Sequence, residues 1–515
     1  MSTGAVRTRR TELLAALSIA IDLGLGQPAE HVLRSSLIAV RLADRLGLSR
    51  EQRDTCFYVT LVMWIGCHAE SHEYVRWFGD DVLVKQQAYL VDWAGLPYLR
   101  FLVGNVAHGS PLPHRLAVIA RLMSNPKRQL GELVHSHCAS ASLLAAELGL
   151  PPAVQRALAA TFERHDGQGG PVGLAGDEIP IEMRVAQVAD LAEVYDRSYG
   201  PGGAQHMVRS RSGGQFDPAV AAAFLDAAEA ILARPETDHW RAAIEAAPDR
   251  SDPLTAAELD RVLVAIGDFA DLKCPFTLGH SRAVAALAAR AAERLGLPDD
   301  EVAAVRRAGH VHDIGRIGIS NRVWECRGGL DAAQWERIRL HPYLTARVLE
   351  RVQGLGTVAR IACNHHEQPD GAGYPRGLPA SELPTADRVL AAAAAYESAL
   401  EPRPYRPGLS LTEAAQRLRT RASARQLDGV AVAAVLEVAG HRAPKVVRAD
   451  GLTPREAEIL CHVARGESNR EIAERLTLSE KTVRNHVERV YAKIGVANRV
   501  GASLYALRNG LVPTG

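Results

Sequence analysis

Five histidines and one aspartate stand in an order that could hold metal. They lie in GHSRAV (279–284), GHVHDIGRIGIS (309–320), LHPY (340–343) and NHHEQPDGAGYP (364–375). Neutral imidazoles supply nitrogen ligands and a carboxylate can bridge two ions. A His-Asp pair followed by histidines on separate helices therefore suits a buried divalent cluster, one able to hold a phosphodiester and a hydroxide in line. A lone histidine on an apolar face is ordinarily a core residue; five in this order, with the adjacent aspartate, point to chemistry. His239, His310 and His462 fall outside the pattern and read as structural or surface residues.

A second constellation closes the chain. In GLTPREAEILCHVARGESNREIAERLTLSEKTVRNHVERV, Thr453 suits an N-cap, Pro454 the first helical position and Glu456 the third, a capping-box pattern. Ile472, Ala473 and Leu476 place an apolar stripe on a short helix, with TLS as the turn. Ser479 then caps a helix with a core face of Val483, Val487 and Val490. Its other face carries Lys481, Arg484, Asn485, Glu488 and Arg489. A helix entering the major groove reaches base edges with such residues, Arg pairing with guanine and Asn with adenine. Residues 451–515 hold ten Lys/Arg against seven Asp/Glu, a local net of +3.

This last stretch resembles the LuxR family's DNA-binding domain over the whole of that module. The resemblance implies that Lys481, Thr482, Arg484, Asn485 and Arg489 lie along DNA, and that the chain binds as a homodimer on inverted half-sites. Glu488 stands where many relatives are basic, so the target should differ from theirs.

The histidine-bearing segment, roughly 255–440, resembles the HD-GYP family of metal-dependent cyclic di-GMP phosphodiesterases. The matches are HDIG (312–315), HHE (365–367), DGAGYP (370–375) and RPYR (403–406). The resemblance implies metal ligands His280, His312, Asp313, His341, His365 and His366, with Asp313 and Arg316 at the reacting centre. Gly373, Tyr374 and Pro375 would frame a pocket for a cyclic dinucleotide. The implied cofactor is a divalent transition metal, iron or manganese. Three departures qualify this. Arg316 replaces the family's lysine and cannot act as a tuned acid. Ala394 stands where a carboxylate ligand is expected, 29 residues after the first of the paired histidines. Phe276 replaces the glutamate of three-metal members, so at most two ions are expected.

The elements that must position these groups are helical. The 515 residues exceed one core; apolar residues make up 47% and aromatics only 5%, with alanine-rich runs such as AVAALAARAAERLGL. Alanine is the best helix former, so the expected fold is all-α: two duplicated HD-type helical bundles, then a four-helix LuxR-type helix-turn-helix domain. Polar, proline-bearing stretches at 233–255 and 440–451 read as linkers, giving domains 1–238, 239–445 and 446–515, and PGGAQHMVRSRSGGQ (201–215) reads as a glycine-rich loop. The net charge of +1 gives no global nucleic-acid signal, and seven scattered cysteines without a CxxC pair suit a reducing compartment. With no long apolar run and no signal-peptide core, a soluble cytoplasmic protein without membrane contact is expected.

The duplication is read from spacing. His137 precedes Thr161 by 24 residues, as His341 precedes His365; Asp190 follows Thr161 by 29, as Ala394 follows His365; His31 and Gly66 are 35 apart, as are His280 and Gly315. About 45 extra residues lie between Gly66 and His137. In this first copy Met63-Trp64 replaces His-Asp, Thr161-Phe162 replaces His-His, and Gly170 replaces the tyrosine of GYP. Apolar residues at ligand positions are expected to fill the former site by packing. The overall expectation is a DNA-binding regulator whose HD-GYP-like domains sense a nucleotide, a metal or a partner. An active phosphodiesterase that also binds DNA is the alternative, and a purely structural scaffold the third reading.

Overall fold

The computed structural model describes residues 8–93, 95–107, 111–124, 126–248, 253–440, 452–509 and 511. Among these residues every regular element is a helix, with only isolated β-bridges and no strand. Alanine lets the helices approach closely. Ala285, Ala288, Ala289, Ala291 and Ala292 are buried on the helix His280–Arg294. Gly309 faces that helix so closely that a Cβ would stand 2.5 Å from the Cα of Ala285.

The chain divides into two compact units, Met1–Val262 and Leu263–Gly515. In the first, helices Arg10–Leu25, His31–Arg45, Arg50–Val62 and Ile181–Arg211 bury an aliphatic core that includes Leu14, Leu33, Leu61 and Val188. The residues after Gly66 form helices Ser71–Phe78, Asp81–Ala88, Gly95–Asn105 and Leu112–Ser124. They share a small core of Phe78, Val84, Leu102 and Val106.

The 201–215 stretch is a correction to the sequence reading, because the helix Ile181–Arg211 runs through most of it. Gly200, at φ 73° and ψ 177°, absorbs a kink, and Pro201 suits the first position of the resumed helix. Ala204, Met207, Val208 and Arg211 then bury one helical face, and that periodicity outweighs the glycine signal. The first stretch read as a linker contains the short helix His239–Ala246, capped by Asp238. The second lies outside the described residues except for Gly440.

In the second unit, helices His280–Arg294, Asp299–Val311, His341–Leu349, Gly356–Cys363 and Thr385–Leu400 surround the histidines. Four further helices follow: Pro454–Ala464, Asn469–Leu476, Glu480–Ile494 and Arg499–Arg508. Their core holds Ile459, Leu460, Ile472, Val483, Val487 and Val490. The Thr453–Glu456 capping box forms as the sequence indicates, and Lys493 adds an ion pair to Glu456 at 2.7 Å. A second box, Ser468 with Glu471, starts the next helix, and Thr477 turns the chain at φ 54°.

Candidate metal centre and nucleic-acid interface

Each of the five clustered histidines sits at a helix end or in the short turn after one, which is why four separate stretches can converge. His280 and His341 open helices, His312 closes Asp299–Val311, and His365 and His366 lie in the short turn after Gly356–Cys363. Gly315 lets the HDIG turn lie against the His341 helix: a Cβ there would meet the His341 carbonyl oxygen at 2.0 Å. Thr345 ties the same turn, accepting from Gly315 N at 3.0 Å and donating to His312 O at 2.9 Å.

Asp313 lies at the centre. Its Oδ2 is 3.6 Å from Nε2 of both His280 and His312, and its Oδ1 is 3.4 Å from His341 Nε2 and 3.5 Å from His365 Nε2. The Nδ1 atoms of His312, His341 and His365 stand 2.8, 2.5 and 2.6 Å from the carbonyls of Gly309, Ile338 and Ala362. A carbonyl only accepts, so these Nδ1 atoms carry hydrogen and the Nε2 lone pairs turn inward. His341 and His365 Nε2 then face each other at 3.2 Å, and two lone pairs so close ask for a cation between them. Ligand atoms of His280, His312 and Asp313 lie within 4.8 Å of one another, as do those of His341, His365 and His366. The donor set fits divalent metal.

Electrostatics agree. Burial pushes His312 and His366 well below the ordinary imidazole range and His341 below it, keeping them neutral as ligands. Burial opposes ionisation of Asp313, but the Arg316 guanidinium beside it holds the carboxyl well below its ordinary value. Arg316 donates to Asp313 Oδ2 at 2.8 Å and stacks over Trp324, 4.0 Å from the ring centre.

The glycine-rich loop is anchored by Glu367, which accepts from the backbone N–H groups of Arg376 and Leu378 at 2.7 and 2.8 Å. Gly373 passes so close to the strand of chain after His366 that a Cβ would meet Gln368 N at 2.3 Å. Tyr374 stacks on His366 with ring centres 4.7 Å apart, and Pro375 follows it in the same loop.

Sequence reasoning missed Glu401. It stands 2.7 Å from His280 Nδ1 and accepts from Arg403 at 2.7 Å, while Arg403 also donates to the Phe276 carbonyl. It lies two residues before RPYR, just outside that motif. Ala394 is buried on Thr385–Leu400 and offers no ligand. One turn on, Glu397 Oε2 is buried without a hydrogen-bond partner, and burial pushes its carboxyl up to about 8.

At the corresponding spacings of the first unit the chemistry differs. His31 lies 2.5 Å from Glu193 and 3.2 Å from Asp190, and Trp64 Nε1 donates to Asp190 at 3.1 Å. Trp64, His137 and Phe162 pack ring against ring. The expected filling by apolar residues is only partial, since Met63, Trp64, Thr161, Phe162 and Asp190 line a cavity of about 670 Å3. The rings touch one another, with centres 4.8–5.9 Å apart, and through Trp64 and Phe162 the cluster walls one side of the cavity.

On the helix Glu480–Ile494, Val483, Val487 and Val490 are buried while Lys481, Arg484, Asn485, Glu488 and Arg489 are exposed. Thr482 is half-buried and its N–H donates to Ser479 at 3.1 Å.

Comparison with known families assigns both regions: an HD domain matches residues 265–430, and the luxR family of bacterial regulatory proteins matches 450–506. Residues 265–430 are an HD domain, and 450–506 are a luxR-type DNA-binding module. The chain is homologous to 3'3'-cGAMP-specific phosphodiesterase 3 of Vibrio cholerae, 29% identical over 413 residues, covering 78% of this chain and 89% of that protein. A cyclic di-GMP phosphodiesterase of Thermotoga maritima is 33% identical over 159 residues, 30% of this chain and 42% of its own length. The luxR module is echoed in the transcriptional regulatory protein LiaR of Bacillus subtilis, 38% identical over 87 residues, 17% of this chain and 41% of LiaR. A crystal structure of a V. cholerae cyclic GMP-AMP specific phosphodiesterase matches with TM-score 0.58 and 25% identity, over 84% of this chain and 98% of that one. Among the described residues no helix is long and apolar enough to cross a membrane.

Proposed function

We propose that the chain is a transcription regulator whose HD domain holds divalent metal and a cyclic dinucleotide and passes their presence to the luxR module. The observation that carries this is Asp313 set among four inward-facing imidazole nitrogens, in one compact unit with the luxR-type module. His280, His312, Asp313, His341, His365 and His366 would hold the ions, which would supply Lewis acidity and a hydroxide at neutral pH. Arg316, fixed by Asp313 and Trp324, presents positive charge to a phosphodiester, and the Tyr374 loop frames the nucleotide. Coupling has a physical route: Leu278, two residues before His280, packs against the core of the luxR module. A ligand that favours one arrangement of that contact would shift the module's population.

We read the first unit as a second copy of the bundle that lost its ligands, with domains near 1–238, 239–445 and 446–515. Three matched details support this. A Cβ on Gly66 would meet the His137 carbonyl at 2.3 Å, as one on Gly315 would meet that of His341. Asp22 accepts from Val32 N, and Asp271 from Ser281 N. Glu163 gathers the N–H groups of Val172, Gly173 and Leu174 as Glu367 gathers its own loop. Homodimeric binding at inverted half-sites and a cytoplasmic setting complete the reading.

Turnover is the second reading, favoured by relatives named as phosphodiesterases of 3'3'-cGAMP and cyclic di-GMP. Ala394 is the observation against it. The deciding experiment measures metal content together with hydrolysis and equilibrium binding of both cyclic dinucleotides, and repeats DNA binding on a selected sequence with and without them. About two equivalents of metal, dinucleotide binding without hydrolysis and an altered DNA affinity are expected. Turnover abolished by His312→Ala would establish the second reading, and absence of both metal and dinucleotide binding would sink the two together.

A further inference from the structure

The first unit holds a partly open cavity of about 670 Å3 that neither the metal centre nor the DNA interface uses. That volume suits a small organic ligand. Its walls include Trp64, Tyr89, Trp93 and Phe162. Trp64 and Trp93 stand 5.7 Å apart between ring centres, and Trp93 and Phe162 5.3 Å. Such rings offer flat apolar faces to a planar guest.

Polar atoms inside the cavity lack partners. Asp190 Oδ2, Tyr89 Oη and Glu70 Oε1 belong to cavity-lining residues that are 1%, 3% and 3% exposed, and none of the three atoms makes a hydrogen bond. Buried acceptors in native proteins are ordinarily paired, and these face donors that the chain itself does not supply. The cations that line the space are committed elsewhere. Lys85 donates to Cys67 O and Ser71 Oγ at 2.8 and 2.9 Å, and Arg164 is engaged with Asp92 and Asp166. A phosphate entering here would meet carboxylates rather than open donors. A flat, uncharged ring system with adjacent N–H groups would satisfy both the walls and the orphaned oxygens.

We propose that the first unit binds an uncharged purine-type heterocycle, laid against the ring cluster of Trp64, Trp93 and Phe162 with its N–H groups toward Asp190 and Tyr89. This site is separate from the histidine cluster, and the inference stands or falls independently of the function proposed above.

The test uses the full-length protein and guanosine, which is uncharged and carries adjacent N–H donors. Tryptophan fluorescence follows binding, and thermal unfolding reports on the fold. Tyr89→Phe removes only a hydroxyl without a protein partner, so the free protein should melt unchanged while guanosine affinity falls about fivefold. Trp93→Ala removes a stacking face and should weaken binding tenfold or more. Guanosine 5'-monophosphate should bind much more weakly than guanosine. Failure of guanosine to bind at millimolar concentration overturns the proposal. So does equal affinity for the monophosphate, or undiminished binding in both variants.

Discussion

The histidine cluster of the second unit and the aromatic cluster of the first stand at the same spacings and solve one electrostatic problem differently. In the second, a single aspartate paired with Arg316 faces four imidazole nitrogens, three of which turn their lone pairs inward. In the first, His31 lies between Glu193 and Asp190, and these carboxylates overcome burial to raise its pKa far above the ordinary imidazole value. The proton on His31 supplies there the charge that metal would supply in the other unit. Around both sites a glycine lies against a histidine carbonyl and a glutamate gathers the N–H groups of a loop.

The largest effect that would sharpen this contrast is loss of metal. His312→Ala should lower metal affinity at least about 100-fold, and Glu401→Ala, which orients His280, about 10–100-fold. Trp64→Ala in the first unit should leave metal content untouched. Elemental analysis after dialysis reads all three, and an unchanged His312→Ala protein would remove the basis for the metal centre.

Next come the two glycines. Gly315→Ala and Gly66→Ala each force a Cβ onto a carbonyl oxygen at 2.0 and 2.3 Å. Each should cost about 1–3 kcal/mol in urea unfolding, and only the first should also reduce bound metal. If Gly66→Ala were neutral, the architectural parallel between the units would be broken.

A smaller effect is expected from Trp64→Phe, which keeps a ring but removes the N–H donated to Asp190. A hydrogen bond to a charged group contributes about 1.5–3 kcal/mol, partly offset here by His31 remaining on Asp190. A stability unchanged within error would show that His31 alone balances the carboxylate.

The smallest and most diagnostic contrast is in pH. His31 has a raised folded pKa, so its contribution is fully present below about 6.5 and fades as pH climbs through the raised value. His312, His341 and His366 have lowered folded pKa values, so their contribution to metal-free stability should instead fade as pH drops below about 6.5. Hydrogen exchange resolved by segment should show the helix His31–Arg45 loosening as pH climbs and the helix His341–Leu349 loosening as it falls. The same direction in both would contradict the charge assignment.

Much of this was legible in one dimension. Local rules work where the physics is local: the Thr453–Glu456 box spans three residues, the Val483, Val487 and Val490 face repeats with the helix, and alanine runs favour helices that pack closely. The His and Asp residues of the second unit were recognisable because ligand chemistry restricts residue type. The 201–215 segment misled because composition suggested a loop, while one kink at Gly200 let the helix resume.

What the sequence by itself determined is the inventory: all-helical units, a helix with a basic outer face, and six side chains able to hold metal. Only the tertiary structure decided how those groups face one another. Glu401 lies 121 residues from His280 along the chain, so no local pattern could pair them. Nor could any pattern show that Trp64, Trp93 and Phe162 gather into one cluster that walls a cavity, because their meeting depends on how distant helices bring them together.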